Sequence, residues 1–280
     1  MADNNVIAGP FLKWAGGKAS MIEQYQDFFP SERVNTYFEP FLGSGAVFFH
    51  LRSRDFARQY CLSDINDELI NAYRILRDRP DDLLALLAYH QAMHDEDHYY
   101  AVRDVDRVDD WPTSAEVVAR AARMIYLNKT CYNGLWRVNS KGQFNVPIGR
   151  YDNPNINDEE RLRAASAVLQ NVSITTAPIR EAMRDAGASD FVYFDPPCVP
   201  LDDNADSIDV DFGEEAQREL AMVFKDLDRR RCLLMLSNSD TPLVRELFDG
   251  YRIEIVQAQR RINSDPDKRG PVDEVVVLNY

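Results

Sequence analysis

The stretch FVYFDPPC, Phe191 to Cys198, sets an acid and two prolines directly after a short apolar, aromatic run. Such a run reads as a buried strand, and in open α/β sheets ligands bind beyond the carboxyl ends of the strands. The prolines stiffen the turn and bring no N–H donor of their own. The turn therefore presents a carboxylate, from Asp195, and a fixed carbonyl, from Pro196. Both are acceptors suited to an amine. The exocyclic amine of a nucleobase is a poor nucleophile, because its lone pair is delocalised into the ring. Acceptors on its hydrogens favour a pyramidal nitrogen whose lone pair can attack an activated methyl carbon in line.

Two glycine motifs precede this turn. YFEPFLGSGAVFF, Tyr37 to Phe49, reads as a strand, a glycine turn and the start of a helix. Gly43 and Gly45 allow a tight turn and close backbone approach by a ligand. The third glycine of a dinucleotide fingerprint falls on Phe48, which leaves no pyrophosphate notch and argues against NAD. Asp64, in LSDIND, follows the next strand about 20 residues on, where an acid binds ribose hydroxyls. A nucleoside-bearing ligand without a pyrophosphate fits, and S-adenosylmethionine is the candidate. FLKWAGGK, Phe11 to Lys18, ends like a phosphate loop, but Leu12 and Ala19 stand where that loop needs glycine and Ser or Thr.

The elements that must position these residues follow from apolar periodicity. Strands are expected at Thr36 to Phe38, Tyr60 to Leu62, Val172 to Thr175, Phe191 to Phe194, Cys232 to Leu236, Ile253 to Val256 and Val275 to Leu278. Leu220, Val223, Phe224 and Leu227 form one helical stripe, and Thr241 before Pro242 reads as a helix cap. From about Asp67 to Asn171 the pattern is helical, with Leu83, Leu84, Leu86 and Leu87, then Val117, Val118, Ala121, Ala122 and Ile125. The expectation is an α/β fold: a mostly parallel, seven-stranded Rossmann-like sheet from residues 1–66 and 171–280, with a helical domain, 67–170, inserted.

The chain has 280 residues, 45% hydrophobic and 28% charged, which excludes disordered and fibrous classes. No apolar run reaches the roughly 18 residues that span a bilayer, and the N-terminus lacks the marks of a signal peptide. Four scattered cysteines form no C-x-x-C pair, so neither a disulfide framework nor a cysteine zinc site is expected. A cytoplasmic protein is the reading. Net charge is −14, yet Val117 to Tyr151 holds Arg120, Arg123, Lys129, Arg137, Lys141 and Arg150 and no acid. That window reads either as a chance gap in the acids or as a basic face where phosphates dock. Asp outnumbers Glu 31 to 15 and Arg outnumbers Lys 26 to 6, a skew that GC-rich coding or a saline cytoplasm would each produce. His90, His94 and His98 fall at i, i+4 and i+8. If helical they share one face, which their acidic neighbours mark as solvated rather than metal-binding. Asp202 to Glu215 holds seven acids and no base. It reads as a solvent-facing segment or, less simply, an electrostatic gate.

EPFLGSG, DIND, DPP and SNSDTP together resemble the amino-methyltransferases of DNA. FLKWAGGK first, then the glycine loop, an insertion and DPP resembles the Dam/DpnII-type adenine-N6 subgroup. YLNKTCYNGLWRVNSKGQFNVPIGRY, Tyr126 to Tyr151, is similar to that subgroup's target-recognition segment, and RINSDPDKRG, Arg261 to Gly270, to its late basic hairpin. The resemblance spans nearly the whole chain. It implies an S-adenosylmethionine-dependent enzyme that methylates adenine N6 in double-stranded DNA, within GATC, after the base leaves the helix. It implies a metal-free site, away from membranes, on a chain taken here to be a monomer. Carried over by residue, it places the cofactor on Trp14, Lys18, Glu39, Phe41, Gly43, Gly45, Asp64 and Asp195. Catalysis falls to Asp195, Pro196, Pro197 and the residue at Cys198. DNA contacts fall to Lys129, Tyr132, Asn133, Leu135, Arg137, Arg150, Arg261, Lys268 and Arg269, with Arg137 on guanine or on a phosphate. One departure stands out. The family carries an aromatic residue, nearly always tyrosine, where this chain has Cys198, and a ring there stacks on the extruded base. Either Tyr193, Phe194, Phe212 or another ring compensates, or turnover is slow, or the chain is a weakened DNA-binding variant. Cytosine-N4 or RNA methylation is the alternative within the same chemistry.

Overall fold

The computed structural model describes residues 8–113, 115–197, 212–259 and 271–280. Its strands are β1 (Val34–Glu39), β2 (Ala57–Asp64), β3 (Ser173–Thr176), β4 (Phe191–Phe194), β5 (Leu233–Ser239), β6 (Arg252–Gln259) and β7 (Pro271–Leu278). Its α-helices are α1 (Ile22–Tyr25), α2 (Ala46–Arg52), α3 (Asp67–Asp78), α4 (Pro80–Met93), α5 (Glu96–Arg103), α6 (Val117–Thr130), α7 (Glu159–Leu169), α8 (Ile179–Ala182), α9 (Glu214–Arg229) and α10 (Pro242–Leu247). Each expected strand overlaps an observed one. They form one seven-stranded sheet in the order β3-β2-β1-β4-β5-β7-β6. β1 to β5 run parallel, while β7 is antiparallel to both β5 and β6. The expected mostly parallel α/β sheet is therefore present. Strand order reverses between β1 and β4, so the connections leaving these strands diverge and open a crevice at their carboxyl ends. Glu39 ends β1, and Asp195 is the first residue beyond β4.

The chain divides into two compact units. The first comprises residues 18–42, 50–65 and 171–280 and carries the whole sheet. The stripe Leu220, Val223, Phe224 and Leu227 of α9 is buried in one core with Val192 and Phe194 of β4, Leu234 and Leu236 of β5, and Val275 and Val277 of β7. Those strand pairs lie two residues apart, as one sheet face requires. Phe191 turns to the other face, against Phe29, Tyr37 and Phe56. With both faces covered, β4 reads as a continuous apolar run instead of an alternating one. Thr241 caps α10, accepting from the Val244 N–H at 3.2 Å, as its place before Pro242 predicts.

The second unit takes in residues up to Gly17, 43–49 and 66–170. Its spine is α6, buried along Val118, Ala121, Ala122, Met124, Ile125, Tyr126 and Leu127, with α3, α4 and α5 packed on it. Asn66 starts α3 by accepting from the Leu69 N–H. Val117, expected in the buried stripe, is exposed at the start of α6.

The basic window, open to reading as a chance gap in the acids or as a basic face, is not a uniformly basic face. Arg120 is bound to Asp67 at 2.9 Å and Glu68 at 2.7 Å, and buried Arg123 to Asp106 at 2.8 Å. Their partners lie far off in sequence, so counting charge within the window could not see them. The three histidines, likewise, do not line one helical face. α4 ends at Met93 and the chain turns at His94 into α5, which folds the row back on itself. His90 Nδ1 then lies 3.0 Å from His98 Nε2, His94 Nδ1 lies 2.9 Å from the Tyr126 hydroxyl, and the His90 ring stacks on Tyr126. Among the described residues no group of three or more His, Cys, Asp or Glu is placed to hold a metal ion.

Burial and the neighbouring His98 hold the His90 imidazole down at about 4, against about 6.5 in an unfolded chain. Below the higher value the unfolded chain takes up a proton that the folded chain refuses. Stability from this site is thus complete above roughly pH 6.5 and drains as pH falls toward 4. His94 is lowered in the same sense. Replacing His90 with Phe, which keeps the stacked ring, is expected to flatten the dependence of Tm on pH across that window. Parallel curves for parent and variant would contradict this.

Candidate active site

Asp195 is where the sheet delivers polar groups. β4 and β5 run parallel with Tyr193 opposite Met235 and Phe194 opposite Leu236. The same register brings Asp195 beside Ser237, whose hydroxyl donates to Asp195 Oδ1 at 2.8 Å. Tyr193, two residues earlier, points to the same side, and its hydroxyl lies 2.9 Å from Ser237 Oγ. Lys18 opens the 3-10 turn Lys18–Ser20 and is 5% exposed; its ammonium lies 2.8 Å from the same Oδ1 and 3.8 Å from Oε2 of Glu274 on β7. One carboxylate oxygen thus receives both a hydroxyl and an ammonium. The carboxylate plane is fixed, as a two-acceptor amine site demands. Burial pushes the phenols of Tyr25 and Tyr193 well up, so both stay protonated at neutral pH. Pro196 is buried and Pro197 half-buried beside it, while Cys198 lies outside the described residues.

The rings considered as substitutes for the family's aromatic residue can now be sorted. Tyr193 and Phe194 are fully buried, with Phe194 packed on Phe224, so neither can stack on an incoming base. Phe212 is half-buried and meets Phe41 edge-on, ring centres 5.5 Å apart.

Around the neighbouring strand ends, Glu39 is buried and accepts from the Tyr37 hydroxyl at 2.8 Å. Asp64 closes β2, half-buried, and Ile65 after it is 78% exposed. In the second unit, Trp14 lies against Gly43, whose φ is +47°. A Cβ there would stand 3.0 Å from the indole Cδ1. Gly43 is thus required both for its backbone angle and for the closeness of the indole. Gly45 also has positive φ.

The segment after α6 forms a small antiparallel fold-back. Cys131 bridges Ile148, Val138 bridges Phe144, and the Tyr132 N–H donates to the Pro147 carbonyl at 2.9 Å. Tyr132 and Asn133 are exposed at its turn, Asn133 with φ +54°. Leu135 is half-buried, Arg150 is exposed, and Lys129 is half-buried, its ammonium lowered by burial. Arg137 donates through Nε to Asn145 Oδ1 at 2.8 Å, which sets the plane of its guanidinium. Arg261, Lys268 and Arg269 lie outside the described residues.

Asn128, fully buried in α6, is the pin of this segment. Its side chain accepts from the Lys13 N–H at 2.8 Å and donates to the Lys13 carbonyl at 2.6 Å and the Gly134 carbonyl at 3.1 Å. Reading the sequence did not single out Asn128, Ser237, Glu274 or Ile65. Signals existed: an amide inside a buried helical stripe, a lone acid within VDEVVVL, and an isoleucine between two polar turn residues.

Comparison with known proteins gives concordant matches. The model of a family described as D12 class N6 adenine-specific DNA methyltransferase matches residues 14–262. A type II methyltransferase of Lactococcus lactis subsp. cremoris, M1.LlaDCHI, is 39% identical, over 99% of this chain and 97% of its own. A type II methyltransferase of Methanocaldococcus jannaschii, M.MjaIII, is 39% identical, over 97% of this chain and 99% of its own. The DNA adenine methylase of Escherichia coli K12 is 34% identical, over 96% and 94%.

Proposed function

The chain belongs to the D12 class of N6 adenine-specific DNA methyltransferases, and from that premise we propose S-adenosylmethionine as its methyl donor and GATC as its target, with the adenine turned out of the duplex to reach Asp195. The observation that carries the reading is the loading of Asp195 Oδ1 by Ser237 and Lys18. A carboxylate anchored at one oxygen presents the other in a set direction. With the Pro196 carbonyl it can take both hydrogens of an exocyclic amine, which localises the nitrogen lone pair. S-adenosylmethionine, when bound, supplies a methyl carbon made electrophilic by an adjacent sulfonium. Residues suited to hold it are present: acids at Glu39 and Asp64, the open Ile65 side chain, and the positive-φ glycines Gly43 and Gly45 with Trp14. Phe41, Lys18 and Asp195 complete the proposed set.

Recognition of duplex DNA is assigned to the helical unit. Tyr132, Asn133, Leu135 and Lys129 line or support the fold-back, Arg150 adds a phosphate contact, and Arg137 reads a guanine with a guanidinium already oriented by Asn145. Arg261, Lys268 and Arg269 are assigned to the same duplex. Adenine inside a helix cannot offer its amine to Asp195, so extrusion is part of the reading. Its natural setting is a cytoplasmic monomer that needs no metal. The test is to incubate GATC-bearing plasmid with protein and S-adenosylmethionine, then challenge it with nucleases that are blocked by, or dependent on, adenine methylation. Resistance to the first and sensitivity to the second are expected. Plasmid still cut by the first would overturn the reading.

The burial of Tyr193 and Phe194 favours slow turnover in the parent, since neither ring can replace a stacking side chain at position 198. A base–aromatic stack is worth about 1–3 kcal/mol, so Cys198→Tyr is expected to raise methyl transfer on duplex GATC roughly tenfold. Unchanged or lower turnover would mean that another ring already serves.

A further inference from the structure

Resting on that reading, we propose that Glu274 is a positioning residue for methyl transfer: by sharing the Lys18 ammonium with Asp195, it leaves the cluster with one net negative charge facing the nitrogen that becomes cationic. Lys18 alone, 2.8 Å from Asp195 Oδ1, would turn the acceptor into a neutral ion pair. Such a pair acts on a neighbouring charge only as a dipole, whose effect falls off faster than that of a charge. Glu274 Oε2, 3.8 Å from the same ammonium, restores the balance.

The reaction needs that residual charge. As the amine's lone pair forms the N–C bond, the C–S bond breaks with its electrons passing to sulfur. Positive charge moves onto the nitrogen, which then gives a proton to water. A fixed negative charge near the nitrogen favours that transition state over the neutral amine. The geometry is preset by the sheet. Glu274 pairs with Ser239 of β5 and Val256 of β6, and Ser237, two residues before Ser239, holds Asp195. The β5–β7 pairing therefore fixes both carboxylates relative to one buried lysine. Among the described residues, Tyr25, Tyr193, Tyr37 and Glu39 also face the cluster. The three phenols are pushed up by burial, and Tyr37 is bonded to Glu39.

Glu274→Gln keeps the shape and removes the charge. In single-turnover methyl transfer to a GATC duplex, the rate at neutral pH is expected to fall on the order of tenfold, with little change in S-adenosylmethionine affinity. The loss is expected in the transfer step alone, with Tm close to the parent's. Glu274→Asp, with the carboxylate drawn back, should recover part of the rate; it also reads the effect if the glutamine variant fails to fold. A merely structural role predicts weakened S-adenosylmethionine binding and a lowered Tm alongside the slower rate, with no recovery by Glu274→Asp. That outcome, or a Glu274→Gln rate equal to the parent's, overturns the proposal. A parent that transfers no methyl group would instead overturn the reading on which it rests. An active parent with an inactive Asp195→Ala variant keeps that reading intact whatever Glu274 does.

Discussion

Asp195→Ala is expected to slow methyl transfer by about a thousandfold, the scale lost when a preorganised polar group is removed from a developing charge. The substitution takes away the proposed acceptor of the amine and leaves Lys18, which is 5% exposed, with Glu274 at 3.8 Å as its remaining carboxylate. Losing the nearer of two ion pairs to a buried ammonium weakens the fold. Tm should therefore fall as well. Thermal melting and transfer of a labelled methyl group separate the two effects. A well-folded variant that modifies its duplex as fast as the parent would remove Asp195 from the chemistry altogether.

Asn128→Leu is expected to have the second largest effect, on DNA binding and on stability together. The leucine keeps the branching and the number of side-chain heavy atoms, but the Lys13 N–H and the Lys13 and Gly134 carbonyls lose the amide that bonds all three. Leaving a buried polar backbone group unsatisfied costs about 1–3 kcal/mol. A loss of several kcal/mol and a clearly lowered Tm follow. Freed from the pin, the turn bearing Tyr132 and Asn133 samples many arrangements, and affinity for a short GATC duplex is expected to drop roughly a hundredfold by fluorescence anisotropy. A variant that melts and binds like the parent would show that the fold-back is held by other means.

The parts legible in the sequence are those governed by local pattern. β4 and the first half of β5 stood out because strands covered on both faces are apolar without interruption, and the α9 stripe because 3.6-residue spacing leaves no other reading. Asp195 was legible because an acid and two prolines after such a strand have few structural uses. What escaped depends on pairing between distant segments. Nothing local says that Arg120 and Arg123 meet Asp67, Glu68 and Asp106, so a basic face stood as one of two readings where the arginines are in ion pairs. The contact between Ser237 and Asp195 follows from strand register, and that of Glu274 with Lys18 from the antiparallel insertion of β7 between β5 and β6. The histidine row failed for a simpler reason. The helix stops five residues too early for it, and folding back turned an outward row into a cluster on Tyr126.

The amide of Asn128 has a practical corollary for protein engineering. Its main-chain partner Lys13 is separated from it by 115 positions, and the unit containing both is assembled from three stretches of chain. A helical module excised as 66–170 alone would therefore be cut from its own brace. Chimaeras built to test whether the helical unit carries target choice should take the leading segment that ends at Gly17 along with the helices, as a single cassette.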